Sequence, residues 1–137
     1  MKIVVDTNVI LDFFLARDPY VISARQLFEM IYTDKLDGYV TANSITDIYY
    51  ILAKRLGDGT ARDAVKKLLM ILTIITVSGD DCNNALNLPI PDFEDALVTV
   101  CASKEDINYI VSNDKEFLQA NQQLTNIVSS KELLELI

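Results

Sequence analysis

Apolar and polar positions alternate along this chain with two different periods. Short runs rich in β-branched or aromatic residues, "KIVV" (2–5), "GYVT" (38–41), "TIITV" (73–77), "NYIV" (108–111) and "TNIV" (125–128), predict strands. Between them, spacing near 3.6 residues predicts helices over 8–16, 20–33, 43–57, 60–72, 80–87, 94–104, 114–120 and 130–136. The helical period is clear in 43–57, where Ile45, Ile48, Tyr49, Leu52 and Leu56 make one stripe and Gly57 follows as a stop. Strands alternating with helices predict an α/β fold, a three-layer α/β/α arrangement around a central, mostly parallel sheet of about five strands. The Leu-Asn-Leu-Pro-Ile-Pro stretch at 86–91 predicts a loop, because Pro89 and Pro91 keep the residues before them out of the helical conformation. No repeat, low-complexity tract or dividing linker interrupts the 137 residues, half of them apolar, so a single domain over 1–137 is expected.

Charge and residue types then narrow the chemistry. Twelve Lys and Arg against twenty Asp and Glu leave a formal net charge of −8, which gives no global attraction to nucleic acid or anionic membrane. Any polyanion has to be held locally. Histidine is absent, which excludes Ser-His-Asp and Cys-His nucleophilic sites, histidine-based nucleases and the usual zinc sites. Carboxylates, lysines, tyrosines or a metal held by oxygen remain. The two isolated cysteines, Cys82 and Cys101, and the lack of a leader-like start predict a reduced, cytoplasmic setting. Cys101 is expected as a small buried apolar residue and Cys82 at or near a helix surface. The longest apolar stretches, around 68–77, are shorter than the roughly 20 residues of a membrane helix, so no membrane association is expected.

In an open parallel sheet, ligands bind outside the carboxyl ends of the strands. Asp6 directly follows the first predicted strand, and Asp47 lies about one turn into the helix after the second. Asp92 and Asp95 open the helix after the proline loop, and Asp114 follows "YIV". Capping accounts for each acid taken singly. "SITD" (Ser44 to Asp47) has capping-box spacing, and Asp92, Glu94 and Asp95 suit the positive end of a helix. Yet Asp47 and Asp95 lie beyond the expected caps, Ser44 and Asp92, and are not needed for capping. If the strand ends are neighbours, four carboxylates share one pocket, which is costly unless a cation sits among them. All-oxygen ligation favours Mg²⁺ or Mn²⁺.

The segments "VVDTNVILDFF", "SITDIYYIL", "DFEDALVTVCA" and "YIVSNDKEF" resemble, in order and spacing, the four acidic motifs of PIN domains, the fold shared by VapC-like toxin ribonucleases. The resemblance covers essentially the whole chain. It implies a catalytic metal site of Asp6, Asp47, Asp95 and Asp114, supported by Asn8, Ser44 and Ser112, with Asp92 as a helix cap or a fifth acid. The second acid is more often Glu in such proteins, so Asp47, one methylene shorter, is expected to reach the metal through water. A Mg²⁺- or Mn²⁺-dependent hydrolysis of RNA phosphodiesters follows from the resemblance, as do the toxin role, a small antitoxin partner and a homodimer. Two alternatives stand beside it: a PIN fold that only binds RNA or protein, and a haloacid-dehalogenase-type phosphatase, whose opening D-x-D is broken here by Asn8.

Lys54, Arg55, Arg62 and Lys66, with Lys67, form the densest basic set and are the candidates for guiding RNA, against a plain solvated surface. Asp34/Asp37, Asp80/Asp81 and Lys104/Glu105/Asp106 read as ordinary exposed polar segments. Phe13, Phe14, Phe28 and Tyr49 are expected in the core, and Tyr50 at the pocket rim or a subunit interface.

Overall fold

The computed structural model describes residues 1–120 and 126–137. Strands β1 (Lys2–Val5), β2 (Asp37–Thr41), β3 (Thr73–Ile75), β4 (Tyr109–Val111) and β5 (Asn126–Val128) form one sheet in the order β3-β2-β1-β4-β5, and every pair is parallel. The last predicted strand therefore begins at Asn126 among the described residues; Thr125 lies outside them.

Burial on both faces explains the unbroken apolar run of β1. Ile3 and Val5 point into one core, with α1 (Thr7–Phe14), α2 (Val21–Tyr32), α3 (Ala42–Leu56), α4 (Asp58–Ile71) and α8 (Ser130–Leu136). Val4 points into the other, with α5 (Gly79–Leu86), α6 (Phe93–Lys104) and α7 (Lys115–Gln119). Ile110 and Val111 of β4 divide between the two cores in the same way. Gly38 of β2 is needed for close packing, since a Cβ there would lie 2.6 Å from Leu72 Cδ2 and 3.0 Å from Ile31 Cδ1. Among the described residues no helix is long and apolar enough to cross a membrane.

Three local expectations are corrected. Helix α3 starts at Ala42 with Thr41 as its N-cap, so "SITD" is not a capping box; Ser44 is already inside the helix, buried, with its hydroxyl 2.9 Å from that of Thr41. Strand β2 runs straight into the helix, which leaves no room for a cap at Ser44. Leu56 is exposed, because the chain reverses at Gly57 (φ 91°) directly after it. Asp81 and Lys104 are not ordinary surface residues. Asp81 is buried, completes a capping box with Ser78, and accepts a hydrogen bond from Lys104 Nζ, tying α5 to α6. That bond holds the Asp81 carboxyl below its ordinary range and raises Lys104.

The strand order sets the place for a site. The chain builds outward from β1 through β2 to β3, then returns to lay β4 on the opposite side of β1. The order reverses between β1 and β4, and their carboxyl ends flank the crevice where open α/β sheets hold ligands.

Candidate active site

Asp6 and Ser112 occupy the two sides of that crevice. Asp6 immediately follows β1 and is buried. One carboxylate oxygen, Oδ1, accepts the Thr7 N–H at 2.9 Å and so caps α1. The other, Oδ2, accepts the Ser112 hydroxyl at 2.8 Å and the Asn8 side-chain amide at 3.0 Å. Burial raises the Asp6 pKa, and these donors work against the rise. Asn8 Oδ1 in turn accepts the Asn113 backbone N–H at 2.9 Å, and Ser112 Oγ accepts that of Asp114 at 3.1 Å. The loop after β4 is thereby fastened to the loop after β1.

A cavity of about 250 Å³ opens here, lined by Asp6, Asp92, Glu94, Asp95 and Asp114 together with Asn8 and Arg17. Capping and clustering prove compatible. Asp6, Asp92 and Asp114 each give one oxygen to a helix start, at Thr7, Asp95 and Glu116 respectively, and still face the cavity. Asp95, three residues into α6 from its Asp92 cap, donates its backbone N–H to that cap, and its own carboxylate accepts no hydrogen bond among the described residues.

The cluster is electrostatically unfavourable by itself. Partial burial, then the charges of Asp6, Asp92 and Asp114, push Asp95 up to about 7. Glu94 is also raised to about 7, first by a hydrogen bond with the Asp47 carboxyl and then by burial. Groups that resist ionising together at neutral pH, with only oxygen donors on offer, fit a hard divalent cation. Of the four acids expected as metal ligands, Asp6, Asp95 and Asp114 line this cavity. Among the described residues no three acids are gathered into a ready ligand shell.

Asp47 on α3 meets the cluster through Glu94 and does not itself line the cavity. Ser44 makes its hydrogen bond with Thr41. Lys54, Arg55, Arg62 and Lys66 are exposed on α3 and α4, outside the cavity wall, and Arg62 is paired with Asp58 at 3.0 Å. Phe28 is in the core, Phe13 and Phe14 are half-buried, and Tyr50 is exposed.

Four residues escaped sequence reasoning. Glu94 looked like part of a helix-end charge, yet it is the contact between Asp47 and the cavity. Asn113 accepts the Ser130 N–H at 3.2 Å and donates to Asp12 at 3.1 Å. Asp12 is buried on α1 and pairs with Arg17 Nε at 3.0 Å. Only the Asn8–Asp12 spacing of four, which sets both on one face of α1, carried a signal.

A larger cavity, about 520 Å³, lies elsewhere, among Phe13, Phe14, Phe28, Tyr32 and Ile71, and is apolar. Its lining includes none of the acids described above.

The PIN domain family matches residues 2–116 of this chain. The chain is 33% identical over 121 residues to Ribonuclease VapC1 of Aquifex aeolicus (strain VF5), spanning 85% of this chain and 83% of that protein. It is similar in structure to VapC20 of Mycobacterium tuberculosis, a sarcin-ricin loop cleaving toxin (TM-score 0.69, 20% identity, 84% of this chain and 92% of that one). A toxin–antitoxin complex from Klebsiella pneumoniae contains a chain with the same fold (TM-score 0.68, 17% identity, 93% and 96%).

Proposed function

The chain belongs to the PIN domain family, and from that premise we propose that it is a Mg²⁺- or Mn²⁺-dependent endoribonuclease, a single cytoplasmic domain acting as the toxin of a toxin–antitoxin pair. One observation carries the catalytic part: five acidic residues, Asp6, Asp92, Glu94, Asp95 and Asp114, line one cavity at the point where the strand order reverses. Kinship to Ribonuclease VapC1 supports RNA as substrate, and the likeness to a chain of a toxin–antitoxin complex supports a small antitoxin as partner.

In this proposal Asp6, Asp95 and Asp114 hold the metal, and Asp47 contributes from a greater distance beside Glu94. When bound, the ion supplies an activated water and offsets the charge that develops on the phosphodiester. The rest is done by the chain. Ser112 and Asn8 fix the Asp6 carboxylate, so one ligand is oriented before metal arrives. Asp114 is oriented likewise by its bond to the Glu116 N–H. Glu94, raised to about 7 by the Asp47 carboxyl beside it, keeps its proton further toward neutral pH than an ordinary carboxyl when no cation is present. Exposed Lys54, Arg55 and Lys66 are proposed to meet the RNA further out, and the toxin is proposed to act as a homodimer.

The test is cleavage of single-stranded RNA by the purified protein. Products should appear with Mg²⁺ or Mn²⁺, vanish with a chelator, and vanish in Asp6→Asn when its circular dichroism is unchanged. A module that only binds RNA or protein gives no metal-dependent products, and a phosphatase prefers monoesters. Growth arrest on expression, relieved by a small protein encoded alongside, tests the toxin role.

A further inference from the structure

A second cavity, about 310 Å³, adjoins the acidic one and shares Asn8, Arg17 and Asp114 with it; Asp12, Tyr20 and Asn113 complete much of its wall. We propose that this second cavity is a nucleotide subsite beside the scissile bond, in which Arg17 takes a backbone phosphate of single-stranded RNA and Tyr20 stacks on the base. The inference rests on the ribonuclease proposal and deepens it.

Among the described residues Arg17 is the only basic side chain lining either cavity. Its guanidinium is fixed at two points: Nε lies 3.0 Å from Asp12 Oδ1, and Nη2 donates to the Asn8 carbonyl at 3.2 Å. Two of its five N–H donors are thus engaged and three remain for an anion. The anchor is secure, because Asp12 is buried and also receives the Asn113 side-chain amide at 3.1 Å. Holding the fork in place before RNA arrives reduces the ordering lost on binding, and its planar geometry suits phosphate. Tyr20 lines the same cavity with 38% of its surface exposed, which leaves a ring available to an unstacked base.

A simpler role for Arg17 is to neutralise the buried Asp12. That role alone does not require the guanidinium to face the solvent, yet the side chain is 42% exposed and borders both cavities. The acids Asp18 and Asp114 on the same wall would repel a phosphate approaching anywhere except at this cation. Arg62, by contrast, is committed to Asp58 and lies over the Tyr49 ring.

The experiment compares wild type, Arg17→Gln, Arg17→Lys, Tyr20→Leu and the double variant Asp12→Asn/Arg17→Gln in steady-state RNA cleavage at several salt concentrations. The double variant removes the acid together with its partner, so no charge is left stranded in the core. Loss of one charge-assisted phosphate contact should raise KM about tenfold in both Arg17→Gln backgrounds, with a far smaller change in kcat. Arg17→Lys should lie between, and Tyr20→Leu should raise KM. The slope of log KM against log salt should fall by about 0.7, one phosphate on a single strand. A folded double variant with wild-type KM and salt slope overturns the subsite and leaves Arg17 as the partner of Asp12 alone. So does a loss confined to kcat. Wild type that cleaves no RNA with either metal overturns the ribonuclease proposal and the subsite with it.

Discussion

The Ser112 hydroxyl donates to Asp6 Oδ2 at 2.8 Å, joining residues 106 apart in sequence at the carboxyl ends of adjacent strands β4 and β1. This bond lies at the reversal of strand order and orients the most deeply buried acid of the site.

Ser112→Ala should therefore weaken the site as well as the fold. Asp6 keeps its Thr7 and Asn8 donors, so the stability loss should be about 1–2 kcal/mol. Loss of an orienting partner lowers metal affinity on the order of 10–100-fold. Mn²⁺ titration calorimetry and RNA cleavage would measure it; unchanged affinity would show that Asp6 needs no orientation from β4.

Asp95→Asn should separate activity from stability. Removing a carboxylate that burial, and then its acidic neighbours, force upward relieves both costs, so the chelator-treated variant should melt higher than wild type at pH 8. Metal-dependent cleavage should fall by more than about 100-fold, beyond the usual effect of residues that only orient ligands. Thermal melts beside a cleavage assay decide both parts.

The pH dependence follows from the same acids. Asp95 and Glu94 have folded-state pKa values raised to about 7 from ordinary carboxyl values. Between roughly pH 4 and pH 7 the folded protein then binds more protons than the unfolded chain, so stability falls as pH rises through that window. Without metal, the thermal midpoint should drop from pH 5 to pH 7.5 through these two groups. Millimolar Mg²⁺ or Mn²⁺ should raise it, with the larger gain at the higher pH, where the carboxylates are free of protons. A metal-induced shift that does not grow with pH would contradict this.

Lys104→Met should act on stability alone. It leaves Asp81 buried with its Ser78 capping partners and a long contact from the Cys101 thiol, and about 1–3 kcal/mol should be lost in urea unfolding. Adding Asp81→Asn should recover part of the loss, because the stranded charge goes with it. Cleavage at saturating metal should stay close to wild type, since the pair bridges α5 and α6 and neither residue lines the acidic cavity.

The layers of this protein were legible in its sequence because burial acts on local pattern. A run such as Ile3-Val4-Val5 can be apolar throughout only if both sheet faces are covered, and every described strand lies where such a run predicted one. The absence of histidine and the acids at strand ends pointed to oxygen ligation in the same way. What the pattern could not contain was distance between segments. Ser44 had the spacing of a cap and lost that role because β2 passes straight into α3; Asp81 looked solvated and is buried because α5 docks on α6.

Sequence alone thus determined the elements, their alternation and the kind of chemistry available, all matters of neighbouring residues and composition. Tertiary structure decided which acids meet, that Glu94 stands between Asp47 and the cavity, and that Asp12 holds Arg17 beside it. Those pairings depend on the order in which strands are laid down, and electrostatic and hydrogen-bond energies fall off over a few ångströms whatever the separation along the chain.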